Sequence, residues 1–593
     1  MSSYKVAAVV VADRRVYDPL GLSDNPSSSR SDLLPQAGAL VALLVVPVLI
    51  YGTWLAVPFV FDDEHAIVQN PSLGSLWASL DPPVETPTAG RPLVNLSLAL
   101  NRTIGGFDPW GFHAFNLFVH MLVGLLAFAA VKQLVHEVAR SSPAARGRLR
   151  ARAVPAAFMA SALWLVHPMH SEVVLYTIQR SESLMALCLM TALVAFQRAL
   201  VLQRPSGWWA ASVLACGAGV YCKAVIAVFP LLALAYDRAF VAGSMRAVWS
   251  QRRLLHLALL ATWIPLGLLQ LSQPRPGSVG APGYSYWLAQ GHILLDYARS
   301  ALWPSVLVGD YGPLVAGQFR SPWPLVGVCG AAAFALWAAW RFPRVGFAGL
   351  WPLLLLLPTS VPTIYTEIGA ERRMYLPLLA PAALIAVVVA VRLKPGAGRY
   401  LFGAGMLLAL LLGARAHVRS ADYRSTESFW QATVRARPTN PRAHYNLAEQ
   451  RRRNGRLEEA IRGFEQALAI DAGYVEAHAN LAGALSAVGR RPAALEHARR
   501  AADLRPSPLL LTNLAGYLAT SGHRKEAATT LRSALALQPD YLPARRALAA
   551  LLLALGRCTE ASPIAAALRR EHPAEPSVER LWRELEQGCA ARR

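Results

Sequence analysis

Charge is scarce in this sequence. Only 16% of its 593 residues are Asp, Glu, Lys or Arg, and 54% are hydrophobic. A water-soluble chain of this length carries nearer a quarter charged residues, so an ordinary soluble globule is excluded. Cysteine is scarce too. Cys188, Cys216, Cys222, Cys329, Cys558 and Cys589 make no CxxC or zinc-like spacing, so neither a disulfide framework nor a metal knuckle is expected. There is no G-x-x-x-x-G-K-[ST] loop, no G-x-G-x-x-G after a strand and no H-E-x-x-H. ATP-driven and Rossmann-type nucleotide-sugar chemistry therefore have no motif to rest on.

The charge that is present is lopsided: 58 Lys and Arg against 36 Asp and Glu, a net +22. Many of the arginines stand in short loops between apolar runs, where the positive-inside bias places them. The excess is read as membrane topology, and no nucleic-acid partner is expected. Eleven spans are expected, at roughly 38–60, 112–134, 153–170, 174–196, 207–221, 224–240, 254–271, 322–340, 345–362, 375–392 and 400–416. The polar, Ser/Pro-rich residues 1–36 read as a disordered cytoplasmic tail. The first span reads as an uncleaved anchor.

Arginine sets the orientation. RSSPAARGRLRAR, SMRAVWSQRR, RFPR and VRLKPGAGR fall on one side if the spans alternate, and that side is the cytoplasm. FDDEHAIVQN (61–70), the HPMHSE turn (167–172), the segments 273–320 and 363–373, and everything after 417 then share the opposite face. A bacterial inner membrane with a periplasmic C-terminal part is expected, or an endoplasmic-reticulum membrane with a luminal one.

From about 425 the composition turns to Ala, Arg, Leu and Glu with a period near 34 residues. The spacing is that of tetratricopeptide (TPR) helix pairs. Leu447, Leu481, Leu514 and Leu548 hold one position of the first helix, each followed by Ala. Ala460, Ala494, Ala527 and Ala561 are the small residues of the second. Pro506, Pro539 and Pro573 end their repeats, while Ala472 stands where the first repeat would have proline. A half-repeat plus four repeats is expected over 425–577, with a tail over 578–593. Such a stack leaves a groove able to hold an extended peptide. The fold class is all-α: a polytopic helical domain over 37–417 followed by a soluble TPR solenoid.

Three acids, Asp62, Asp63 and Glu64, follow the first apolar run. They read either as a solvated stop or as chemistry. Adjacent carboxylates in a half-dry cleft repel, which raises one pKa and suits a general base. Alternatively, hard oxygen ligands could hold Mg²⁺ or Mn²⁺. The segment after them, through GRPLVNLSLALNRTIGG with Arg91, is amphipathic and expected to lie along the interface. Lys223 in YCKAVIAV, Arg180 and Glu182 in IQRSESL, and Glu371 and Arg372 in AERRMYLP are ionisable groups beside apolar runs. They read as snorkelling helix ends or as a phosphate grip. His167, His170 and Glu172 are candidate metal ligands, but two histidines do not complete a site.

The order of these stretches resembles the transmembrane, TPR-containing O-mannosyltransferases of the GT-C class and their bacterial relatives. The resemblance rests on FDDEHAIVQNPSL, RPLVNLSLALNRTIGGFDPWGFHAFNLFVH, ALWLVHPMHSEVVLYTIQRSESL, the CK of YCKAVIAV, YSYWLAQGHILLDYARSALWPS and AERRMYLP, with repeats after the last span. It implies a GT-C fold with its site on the non-cytoplasmic face and a sugar donor on a polyprenyl or dolichyl phosphate. It implies that Asp62 and Asp63 serve the reaction and that Glu371 and Arg372 stand at the family's ER pair. Where the family often has a glycine, an arginine and an acid after the HP motif, Ser181 and Ser183 flank Arg180 and Glu182 here. An inverting transfer to hydroxyl groups of a protein acceptor follows, with a divalent cation possible. A glycan or lipid acceptor, a non-catalytic TPR scaffold and a lipid-sugar transporter are the competing readings. Ionisable groups gathered on one face favour the enzyme over the transporter.

Overall fold

A computed structural model describes residues 30–140, 146–202, 206–272, 283–361, 366–392 and 398–590. The tail expected over 1–36 lies mostly outside them, as do parts of the loops at 141–145, 273–282, 362–365 and 393–397. The described residues form helices and no strands. The chain divides into two compact units, Met1–Ala432 and Thr433–Arg593.

In the first unit most of the expected spans coincide with helices, while 55–60, 166–167, 176 and 375–378 are turns or coil. The helices Arg30–Tyr51, Pro109–Arg140, Arg180–Val201, Trp323–Arg341, Leu379–Arg392 and Gly398–Ser420 are uninterrupted by polar loops. Among the described residues, seven helical stretches are long and apolar enough to cross a membrane alone. The expected spans at 153–170 and 207–221 are the shorter apolar helices Ala153–Leu165 and Gly207–Val220. The long helix Pro109–Arg140 is the pivot, packed against Ala153–Leu165 and Arg180–Val201. Its first half is mostly apolar but carries His113, Asn116 and His120, all fully buried. Their spacing puts them on one helix face, and each reaches a loop. His113 contacts the Leu55 carbonyl at 2.9 Å, and His120 contacts the Tyr375 hydroxyl at 2.6 Å. The residues after the acids form short turns and the helix Pro92–Gly105. Buried Asn95 donates there to Ser72 Oγ (2.9 Å) and to the Ser79 carbonyl (2.8 Å), which fixes the loop internally.

The second unit is the repeat array. Its helix pairs are Pro441–Arg453 with Leu457–Ile470, Val475–Ala487 with Arg491–Leu504, Pro508–Thr520 with Arg524–Leu537, and Leu542–Ala554 with Cys558–Glu571. Leu447, Leu481, Leu514 and Leu548 are buried, as are Ala460, Ala494, Ala527 and Ala561. The small residues let the helices of a pair approach closely. Each pair turns on a glycine, Gly455, Gly489, Gly522 and Gly556, with φ of 78°, 81°, 87° and 76°. A side chain at that φ would be strained.

Two features differ from the sequence expectation. The residues read as a tail form the amphipathic helix Pro576–Ala590, whose Val578, Leu581 and Leu585 are buried against the last repeat. The array thus ends on a capping helix that shields its last apolar face. Cys558 and Cys589, which share no motif spacing, are joined in a disulfide with Cα atoms 5.9 Å apart. They meet because one starts the last repeat's second helix and the other ends the antiparallel cap. Closing a loop of this size stabilises by about 3 kcal/mol. Replacing both cysteines by serine should therefore raise amide exchange across 576–590 at least tenfold while leaving the first two repeats unchanged. Unaltered exchange in the last helix would show that the link carries no stability.

Candidate active site

The two aspartates point different ways. Asp63 is fully buried. Its carboxylate accepts the backbone N–H of Ile178 at 2.8 Å, of Thr177 at 3.1 Å and of Val60 at 3.3 Å. Those first two amides open the turn Thr177–Gln179, directly before the helix Arg180–Val201. A carboxylate is favoured at such a terminus because its N–H groups are unpaired. Burial still pushes the Asp63 carboxyl up to about 7, against the three amides that favour its charge. Asp63 is therefore a clamp between the first outer loop and the turn after the HP motif, and it presents no face to a substrate. Asp62 is half-exposed. Its backbone N–H donates to the Tyr176 hydroxyl at 3.2 Å. Phe61, just before it, has φ 50°, and it is the one non-glycine residue with positive φ among the described residues. That conformation costs an L-residue roughly 1 kcal/mol. Glu64, the third acid, is exposed.

The cations come from three loops. Arg372 donates to Glu172 through Nη1 at 2.5 Å and through its backbone N–H at 2.9 Å, and its other Nη meets Glu367. Lys223 pairs with Glu182, their side chains 14% and 5% exposed. Burial holds the Lys223 ammonium below its usual value, and the charges of Arg91 and Arg372 act in the same direction against Glu182. Arg91 and Arg372 thus both lie within range of Lys223. Tyr176 stands close by: the charges of Asp62, Asp63 and Arg372 all act at its hydroxyl. Asp62 and Arg372 thus both act at Tyr176, Glu172 holds Arg372, and Lys223 with its partner Glu182 lies within range of Arg372 and Arg91. Guanidinium has five N–H donors and ammonium three, so the acids orient these cations without exhausting them.

An apolar groove of about 1460 Å³ lies between the helices Tyr284–Leu302, Trp323–Arg341 and Pro343–Ser360. It is lined at one end by Phe342 and Val345 and reaches Met374 and Pro377, two and five residues beyond Arg372.

Other candidates are committed elsewhere. Arg180 is fully buried. It donates to Asn116 Oδ1 at 2.7 Å, the Ser97 carbonyl at 3.0 Å and the Phe112 carbonyl at 2.9 Å, with its guanidinium 4.5 Å from the Phe115 ring centroid. It braces helices and offers no fork to a phosphate. Glu371 is buried, accepts the Val308 N–H and lies 3.9 Å from Arg419. It holds the segment after Trp303 in place, apart from any ligand. His170 packs among Trp164, Tyr375 and His120. His167 contacts the Ala301 carbonyl at 3.3 Å. Among the described residues no three His, Cys, Asp or Glu gather as a metal set. The nearest acids are spoken for: Glu172 by Arg372, Glu182 by Lys223, and Asp63 by backbone amides. Asp62 and Glu64 gather no third ligand, so the described residues present no set that fits a divalent cation.

Sequence reasoning missed Asn116, Tyr176, Glu367, Tyr375 and Trp430. One signal was available for Asn116: a polar stripe with His113 and His120 in an otherwise apolar span. Tyr176 and Trp430 matter through contacts between distant segments, which no local pattern announces.

The two acids should therefore fail differently. Asp63→Asn sets an amide donor against backbone donors and should lower the thermal midpoint by several degrees, since an unmet buried N–H costs about 1–3 kcal/mol. The raised pKa has a sign. Folded Asp63 keeps a proton up to about pH 7 that the unfolded chain releases near 3.8. Its share of stability is thus lost as pH rises through that window, and Asp63→Asn should flatten this part of the profile. Asp62→Asn should leave the midpoint within a degree or so. Equal midpoint losses in thermal scans of both variants would contradict the division.

The chain is similar to several known proteins. A tetratricopeptide-repeat family profile matches residues 518–585. The human protein O-mannosyl-transferase TMTC4 is 26% identical over 498 residues, covering 73% of this chain and 66% of the human one. The Drosophila melanogaster protein O-mannosyl-transferase Tmtc3 is 23% identical over 504 residues, covering 71% and 54%. The chain thus spans between half and two thirds of the length of these relatives. Among solved structures, a TPR protein of Thermus thermophilus covers 31% of this chain at 24% identity with a TM-score of 0.24. ArnT from Cupriavidus metallidurans, solved with undecaprenyl phosphate, covers 78% at 17% identity with a TM-score of 0.36. The chain is a homologue of the transmembrane, TPR-containing protein O-mannosyl-transferases, and like them it carries tetratricopeptide repeats.

Proposed function

We propose that the protein transfers a mannose-like sugar from a polyprenyl or dolichyl phosphate to hydroxyl groups of a protein acceptor on the non-cytoplasmic face. The observation that carries this is one half-buried carboxylate, Asp62, beside Tyr176, where Arg372 also acts, with Arg372 oriented by Glu172 and within range of Lys223. A lipid-phosphate donor needs no nucleotide site, in keeping with the missing nucleotide motifs.

The steps follow from the residues. The Asp62 carboxylate takes the proton of the acceptor hydroxyl. The oxygen attacks the anomeric carbon from the side opposite the phosphate, and the bond from that carbon to the phosphate oxygen breaks, which inverts the configuration. The electron pair leaves with the lipid phosphate. Arg372, Lys223 and Arg91 stabilise the charge that develops there. Asp62 ends protonated and returns its proton to water. The apolar groove reaching Met374 suits the isoprenoid chain of the donor. The repeats recruit the acceptor and raise its local concentration. The Cys558–Cys589 disulfide supports an oxidising compartment for the repeats, the periplasm if the source is bacterial.

The test is transfer by the purified chain from a panel of polyprenyl-phosphate sugars to a Ser/Thr-rich protein. At least one donor should support transfer. Asp62→Asn and Arg372→Ala should each reduce kcat by about 10²–10³-fold with the fold intact. A folded wild type that uses no donor, or an Asp62→Asn variant with full activity, would favour the scaffold reading.

A further inference from the structure

We infer that Trp430 is a positioning residue for Asp62, acting through the left-handed backbone of Phe61. The inference rests on the proposed role of Asp62 as the base. It goes beyond that role by assigning a task to the helix Thr426–Ala436, which precedes the repeats in the chain.

The turn that delivers Asp62 is closed by the Asp63 N–H donating to the Val60 carbonyl at 3.0 Å. Asp63 is tied to the amides of Thr177 and Ile178, and the Asp62 N–H to Tyr176. Between Val60 and Asp62 stands Phe61 at φ 50°. Position two of such a turn with positive φ favours glycine or asparagine. A phenylalanine there is held against its local preference, so something outside the turn has to hold it. The structure shows what. The Phe61 ring meets Trp430 edge-on, with centroids 5.1 Å apart at 85°, and lies 6.2 Å from Tyr176. Trp430 is only 2% exposed. It is backed by Phe429 at 5.0 Å, and Phe429 by Tyr423 at 5.5 Å. A continuous row of rings thus runs from Tyr423 to Tyr176, with Phe61 the fourth of five. Edge-to-face pairs are directional, so the row fixes an orientation as well as filling volume. Rotation of the Phe61 backbone swings the next residue. The residue that swings is Asp62, whose aim at an acceptor hydroxyl decides the rate.

This account predicts an unusual ranking. Glycine adopts positive φ without cost and alanine does not. If Phe61 mattered only as a filler, alanine would serve at least as well as glycine. If its backbone matters, Phe61→Gly should keep more kcat than Phe61→Ala. Trp430→Ala should lower kcat at least about tenfold with donor KM within about twofold, and Trp430→Phe should restore most of the loss. A second measurement needs no transfer assay. Amide exchange over residues 60–66 in the full-length chain should quicken at least tenfold in Trp430→Ala and stay at the wild-type rate in Asp62→Asn. If Trp430→Ala gives little folded protein, Trp430→Leu keeps apolar volume and removes the ring edge. Wild-type exchange at 60–66 in the Trp430 variants would overturn the proposal, as would Phe61→Ala matching or exceeding Phe61→Gly. Were no donor to work with the wild type, the exchange result would still decide the positioning, while the catalytic reading of Asp62 would fall separately.

Discussion

The site depends on one buried carboxylate. Asp63 joins residues 114 positions apart by accepting the amides that open the turn before the helix Arg180–Val201. Taking that group out of water is unfavourable, and the unmet N–H groups of a helical turn offset it. The clamp has a geometric consequence for its neighbour. With Asp63 turned inward, Asp62 is left half-exposed in the same turn. Adjacent acids therefore take opposite orientations, one buried and structural, the other partly exposed and, in the proposed reaction, the base.

A second constraint comes from counter-ions. Phosphate recognition needs cations, yet isolated cations at the edge of a membrane domain are costly. Here two of the three are held by acids: Arg372 by Glu172 and Glu367, Lys223 by Glu182. The pairs keep the side chains upright and leave N–H donors for an anion. Arg180 shows the contrary solution. It is surrounded by carbonyls and rings, and its charge serves the packing of helices. Burial and partner count separate the two kinds of arginine, and residue type does not.

The sequence made some of this legible. The period near 34 exposed the repeats because each buries the same Leu and Ala positions, and Leu481 and Ala460 stand in the core as that pattern demands. Long apolar runs announced the membrane helices for the same reason. The run of acids and the lone Lys223 were visible as charges out of place. What the sequence could not show was pairing. Glu182 meets Lys223 across 41 residues and Glu172 meets Arg372 across 200. Asp62 and Asp63 differ only through partners at 176–178. Cys558 and Cys589 have no motif and meet because two antiparallel helices bring them together. The cap at 576–590 was hidden because it lies beyond the last repeat and breaks the period.

The central claim is that Asp62 faces a lipid phosphate on the non-cytoplasmic side. Its most direct test is labelling of an Asp62→Cys chain, with other reactive cysteines removed, in sealed membranes of known orientation. A membrane-impermeant maleimide should reach position 62 from the outer side, and added undecaprenyl phosphate should slow the labelling. Labelling only from the cytoplasmic side, or at a rate indifferent to the lipid phosphate, would contradict the account.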